Sequence, residues 1–274
     1  MTMLTSTNGS TNILPPQYGA LITDPLTENA LAFDSRVTTT IRTGAERFRA
    51  PRLVEDVAAA WVAEGEEIAP SDPTLDEIEI VPKKIGGLTI ISRELAEDSN
   101  PSAQAIVGQS LARALTTQVD TGFFAAGGGA QAAGLASITP TEHTGTLDSL
   151  DVIHEAKAKA AAQGGKPTAL LAHPDDVLAL ALLKDQTDSN RALLQSTDSA
   201  AGVPVISTRH AAAGTIWMVD ASQIYTVLRE DTTLAVSRDA YFTSDRIAVR
   251  ATVRVAWGFI TPAALVKINL DPIV

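Results

Sequence analysis

The chain has 274 residues, no cysteine, and 32 acidic against 21 basic side chains, for a net charge of −11. That length admits one large domain or two small ones. The missing cysteine excludes a disulfide framework, a thiol nucleophile and a thiolate metal site, and the acidity argues against a nucleic-acid binder by electrostatic footprint. Aromatic residues make up 4% of the chain, so Ala, Val, Ile and Leu must fill the core.

In chain order, residues 1–52 read as a poorly structured arm. Thr, Ser, Asn and Pro dominate its first 20 positions, with no basic start and no apolar stretch of a signal peptide. It turns mildly basic with Arg36, Arg42, Arg47, Arg49 and Arg52. No apolar run in the chain approaches the roughly 20 residues that cross a bilayer, so no membrane partner is expected, and the reading is of a soluble protein made in a cytoplasm.

Residues 53–82 form an acidic ribbon. They hold Glu55, Asp56, Glu64, Glu66, Glu67, Asp72, Asp76, Glu77 and Glu79, and no Lys or Arg. Pro51, Pro70, Pro73 and Pro82 punctuate the segment, and Glu77-Ile78-Glu79-Ile80 alternates with the period of a strand. Such a ribbon cannot bury a core of its own. A partner surface is one reason to keep it; a solvated acidic hairpin on a domain rim is the other, and charge alone weighs them about equally.

Leu88-Thr89-Ile90-Ile91-Ser92 reads as a short buried strand. A long helix follows, with Ser99 and Asn100 able to cap it and Pro101 suited to its first turn. Ile106, Val107, Leu111, Leu115, Val119 and Phe123 recur along it every three or four residues, and Gly127-Gly128-Gly129 ends it. From about Thr146 short helices and strands alternate: a helix after Asp148 stopped by Gly164-Gly165, a strand at 168–173, a helix opened by Pro174, a polar loop at 185–202, and strands at 203–206 and 216–219. This pattern predicts a compact α/β subdomain. Residues 246–257 predict the clearest strand, with Ile247, Val249, Ala251, Val253, Val255 and Trp257 on one face and Arg246, Arg250, Thr252 and Arg254 on the other.

Catalytic chemistry leaves no mark. His143, His154, His173 and His210 share no metal-ligand spacing. The three glycines at 127–129 do not make a dinucleotide fingerprint, Gly165-Lys166 lacks the upstream glycine of a phosphate loop, and Gly108-Gln109-Ser110-Leu111-Ala112 ends in alanine where a nucleophile elbow needs glycine. No catalytic residue, cofactor or metal is expected, and the chain does not read as an enzyme.

Trp61-Val62-Ala63-Glu64-Gly65-Glu66-Glu67-Ile68, with Pro70 and Asp72 behind it, resembles the major capsid proteins of tailed bacteriophages. The resemblance continues through Ile80-Val81-Pro82-Lys83-Lys84, Leu88 to Ser92, Glu94-Leu95, Asp98-Ser99 and Gln118-Val119-Asp120. It resumes at Gly202-Val203-Pro204-Val205, at Trp217 with Val219-Asp220, and from Ala248 to Trp257, closing on Thr261-Pro262-Ala263. It spans residues 20–270; the order and spacing of the pieces are specific, though no single piece is.

The resemblance implies an α+β chain in the phage major capsid fold. Residues 1–52 would be the N-terminal arm, reaching a neighbouring subunit, and 53–84 an extended β-hairpin loop over the adjacent subunit. Residues 85–135 would carry the spine helix of a peripheral domain, 136–231 an α/β axial domain at capsomer centres, 232–258 the peripheral sheet strands, and 259–274 a return to the axial domain. The implied function is structural: a virion subunit that self-assembles into hexamers and pentamers of an icosahedral head enclosing double-stranded DNA without sequence-specific binding. Implied partners are copies of itself, a separate scaffolding protein and a portal during assembly in the bacterial host cytoplasm, and decoration proteins. The alternative is an encapsulin-type nanocompartment shell, a relative that usually begins with a helix, unlike the polar residues 1–20 here.

Two departures follow from the residues. Some members cross-link through a lysine in the loop, whereas here the nearest are Lys83 and Lys84 at its base, so covalent links are not expected. Some carry a long N-terminal scaffolding segment, whereas only about 45 residues precede the loop here, so scaffolding is expected from another protein or from a segment outside this sequence. Inter-subunit contacts are expected between ribbon carboxylates, Glu64, Glu66, Glu67, Asp72, Glu77 and Glu79 among them, and arginines of the next subunit. Arg246, Arg250 and Arg254 are the candidates, with Arg47, Arg49 and Arg52 as competitors.

Overall fold

The computed structural model describes residues 26–67, 70–94, 103–186, 189–194, 196, 198–230 and 233–271. The expected helix cap at Ser99, Asn100 and Pro101, and the expected coil of the first 20 residues, lie outside them. In chain order the strands are β1 (Thr39–Thr43), β2 (Phe48–Glu55), β3 (Thr74–Ile80), β4 (Lys83–Ser92), β5 (Thr141–Thr146), β6 (Ala169–Ala172), β7 (Ser199–Ala200), β8 (Val203–Ser207), β9 (Thr215–Val219), β10 (Ile224–Arg229), β11 (Thr233–Tyr241), β12 (Arg246–Phe259) and β13 (Val266–Asp271). The helices are α1 (Ala103–Phe124), α2 (Asp151–Ala162) and α3 (Pro174–Leu182).

β12 organises the first sheet. Along one edge it pairs antiparallel with β4, from Arg246↔Ser92 to Val255↔Lys83. Along the other edge β11 covers its first half and β10 its second, and β1 adds parallel to β10. The alternation legible in residues 246–257 has its cause here: Val249, Ala251, Val253, Val255 and Trp257 face α1 and are buried, whereas Arg246 and Arg250 are exposed. α1 presents Leu111, Leu115, Val119 and Phe123 to that face, and Phe123 meets Trp257 edge-on with ring centroids 5.7 Å apart. Each such side chain contributes about 1.5–3 kcal/mol on burial.

β4 is longer and less buried than the sequence led us to expect. It starts at Lys83, and Leu88 and Ile90 lie on the open face, 60% and 37% exposed. The reason is register: Leu88 stands opposite Arg250, and Ile90 opposite Ala248.

Residues 26–43 are folded rather than arm-like coil. Leu26, Ala32 and Val37 are fully buried in the α1 core. The Thr38 and Thr226 hydroxyls both lie 2.7 Å from the Ala32 carbonyl oxygen, and the Ala32 N–H donates to Asp120 on α1 at 3.3 Å. Small Thr and Ala residues disguised this segment, because its burial follows from long-range pairing and not from local periodicity.

The second sheet has the order β5-β13-β9-β6-β8-β7. Its central strands are buried on both faces: Leu170, Ile216 and Met218 pack toward α2 and α3, while Ala169, Leu171, Trp217 and Val219 join the α1 core. Ser149, not Asp148, supports the start of α2 by accepting from the Asp151 N–H at 3.2 Å. β10 belongs to the first sheet, so the chain returns to that sheet at Ile224, ahead of position 232.

Candidate assembly surfaces

The acidic ribbon forms one leg and the tip of a hairpin whose other leg starts in the basic segment before it. β2 pairs antiparallel with β3, from Phe48↔Ile80 to Glu55↔Thr74. The root is anchored: Ile80 is buried against β12, and Phe48 meets Tyr225 edge-on at 6.4 Å. Beyond the root the described residues are exposed apart from the half-buried Arg52 and Ser71. Ser71 ties the legs together, its hydroxyl accepting from the Ala58 N–H at 2.8 Å, and the chain turns near Gly65 with φ of 91°.

Antiparallel register sets Arg49 opposite Glu79 and Arg52 opposite Asp76. Arg47 donates to Glu79 at 3.1 Å, Arg49 lies 3.7 Å from Glu77, and Arg52 donates to Asp76 at 2.7 Å. Donation from the Glu77 backbone N–H, and then from Arg52, holds the Asp76 carboxyl below its ordinary range. Arg47, Arg49, Arg52, Glu77 and Glu79, all expected as inter-subunit groups, thus have partners inside the chain. Cross-strand pairing supplies those partners locally, and exposure to water keeps each pair weak.

The remaining carboxylates differ. Glu64, Glu66, Glu67 and Asp72 are exposed and make no ion pair among the described residues. On the open face of the first sheet, Arg246 donates to Ser244 at 3.0 Å, Arg250 is exposed without an ion pair among the described residues, and Arg254 is half-buried opposite Lys84.

Charge reasoning missed the apolar side of the hairpin. Leu53, Val54, Val57, Trp61, Val62 and Leu75 are half of the twelve large hydrophobic side chains left exposed among the described residues, and Trp61 is fully open to solvent. A hairpin kept for solubility has no use for that concentration of exposed hydrophobics. The signal lay in the sequence as bulky residues between the acids.

His143 and His173 sit in structural roles. Lys159 Nζ lies 3.0 Å from His143 Nδ1, with Glu155 3.2 Å from Nε2, and His173 caps α3 by accepting from the Asp175 N–H. Among the described residues no three His, Asp or Glu side chains gather as metal ligands.

A model of the phage capsid family matches residues 12–270. The chain belongs to the phage capsid family. Its fold is that of solved capsid structures. The capsid of the native GTA particle superposes with a TM-score of 0.72 at 14% identity, covering 99% of this chain and 100% of that one. The structure from Microbacterium phage Oxtober96 gives 0.72 at 17% identity over 98% and 100% of the two chains. That from Mycobacterium phage Cain gives 0.71 at 15% over 99% and 96%. No curated protein matches. The protein is thus a structural capsid protein and not an enzyme. Self-association into a shell and a place in the virion come with that membership.

Proposed function

We propose that this capsid protein tiles as hexamers and pentamers into an icosahedral phage head around double-stranded DNA. The observation that carries the reading is the hairpin. It is rooted in the fold by Ile80 and Phe48, yet it holds its apolar side chains and its unpaired acids Glu64, Glu66, Glu67 and Asp72 in solvent. Only a neighbouring surface gives those groups burial and counter-charge, and exposed cations such as Arg246 and Arg250 are candidates to supply the charge. In this reading the residues ahead of Phe48, packed onto the α1 core over 26–43, act as the N-terminal arm, the hairpin as the extended loop, α1 and the first sheet as the peripheral domain, and the second sheet with α2 and α3 as the axial domain. A net charge of −11 suits a wall that contains DNA without gripping its phosphates.

Assembly takes place in the host cytoplasm with a separate scaffolding protein and a portal, and decoration proteins bind the finished shell. No finding favours the encapsulin-type compartment. Particles purified from producing cells test the reading: nuclease-protected double-stranded DNA inside a shell of hexamers and pentamers supports it, and a protein cargo in place of DNA overturns it.

A further inference from the structure

We infer that Trp61 of one subunit seats in the groove between α1 and β4 of a neighbouring copy, with the Glu64–Glu67 turn against Lys83 and Lys84. This rests on the capsid reading and deepens it by naming the seat. The groove encloses about 460 Å³ and has an apolar floor that includes Leu115 and Trp257. Lys83 and Lys84 line it at the head of β4, exposed and without ion pairs among the described residues.

Two further features point to an occupant. α1 flanks the groove with neutral Ala114 and Gln118, and Arg113 is the one charged residue on the helix besides the buried Asp120. A freely solvated helix face ordinarily carries more charge. Complementarity completes the match: the hairpin has an open indole beside Glu64, Glu66 and Glu67, and the groove has an apolar floor beside two lysines.

The occupant must come from another copy. Trp61 is fully exposed in its own chain, while Lys83 lies at the hairpin root. β3 alone is seven residues long, or about 23 Å at 3.3 Å per residue, and the tip lies beyond it.

The chain offers a direct readout. Of its three tryptophans, Trp217 and Trp257 are each 6% exposed, so Trp61 is the quencher-accessible fluorophore. Acrylamide quenching is compared between dissociated subunits and complete wild-type shells, with Trp61→Phe as the control that keeps an aromatic ring. The expected result is that the accessible component seen in subunits is lost in shells and is absent throughout from Trp61→Phe. Trp61→Ala should raise the protein concentration needed for shells about tenfold, with Trp61→Phe close to wild type.

Since the chain has no cysteine, a Trp61→Cys/Gln118→Cys variant treated with a short bismaleimide should link subunits in shells, and Trp61→Cys/Arg250→Cys should not. Shells in which Trp61 stays quenchable, linking through position 250 instead of 118, or linking of the groove cysteine to one placed within residues 1–25 would each overturn the seat and leave the capsid reading standing. Failure of the wild-type chain to form shells would overturn both.

Discussion

Ile80 rests directly on Gly258. A side chain at position 258 would occupy the space filled by Ile80 Cδ1, so the hairpin root is locked onto β12 by a contact that only glycine allows. Gly258→Ala should push Ile80 out and cost about 1–3 kcal/mol, and Ile80→Ala should cost about 2–4 kcal/mol by leaving a cavity. The double variant should lose less than the sum of the two, because the added methyl enters the vacated space. Thermal unfolding of the three variants checks this; simple additivity would mean that the two residues do not share that space.

Asp120 gives the fold a pH dependence. Its carboxylate is 7% exposed, and burial raises its pKa to about 6, against a weaker lowering by the Ala32 N–H. The unfolded value is about 3.9. Between those values the folded chain holds the proton more tightly, so this group's contribution to stability is greatest below about pH 4 and is lost as pH rises through 6. Asp120→Asn should therefore be the more stable protein at pH 7, by about 1–2 kcal/mol, and should match wild type near pH 4. Melting temperatures across that range test it, and equal wild-type and variant slopes would contradict it.

The two sets of hairpin charges should behave differently. Arg52→Ala removes an exposed cross-strand pair and should leave the melting temperature close to that of wild type. Neutralising Glu64, Glu66 and Glu67 together to Gln should leave folding unchanged but weaken assembly at low salt. At about 1 M salt, where the Debye length is about 3 Å, wild type and variant should converge. Light scattering during assembly measures both effects.

Covalent links between subunits are not expected. Residues 53–82 contain no lysine and the chain no cysteine. Boiling purified shells in detergent should give one band near 28.7 kDa; a ladder of multimers would reveal a bond made elsewhere.

Much of this fold was legible because its strongest signals are local. The 22-residue α1 follows from apolar spacing, and β12 follows from strict alternation between Ile247 and Trp257. The hairpin was visible as charge and proline, yet its first leg was not, because Phe48 and Arg49 take their place only through pairing with Ile80 and Glu79. β1 pairs with a strand far along the chain, and the buried Thr38–Thr226 contact joins residues 188 positions apart, which no local pattern encodes. The ion pairs illustrate the same limit. A count of acids and arginines suggested contacts between subunits, and register satisfied Arg47, Arg49 and Arg52 at home.

Joining subunits is the role proposed for the hairpin. A cryo-electron microscopy map of purified particles tests it most directly. The expected map shows a closed shell in which the 48–80 hairpin of each subunit crosses onto its neighbour, with Trp61 and the turn at 64–67 covered. A compact monomer at every concentration, or a shell whose hairpins stand free in solvent, would contradict it.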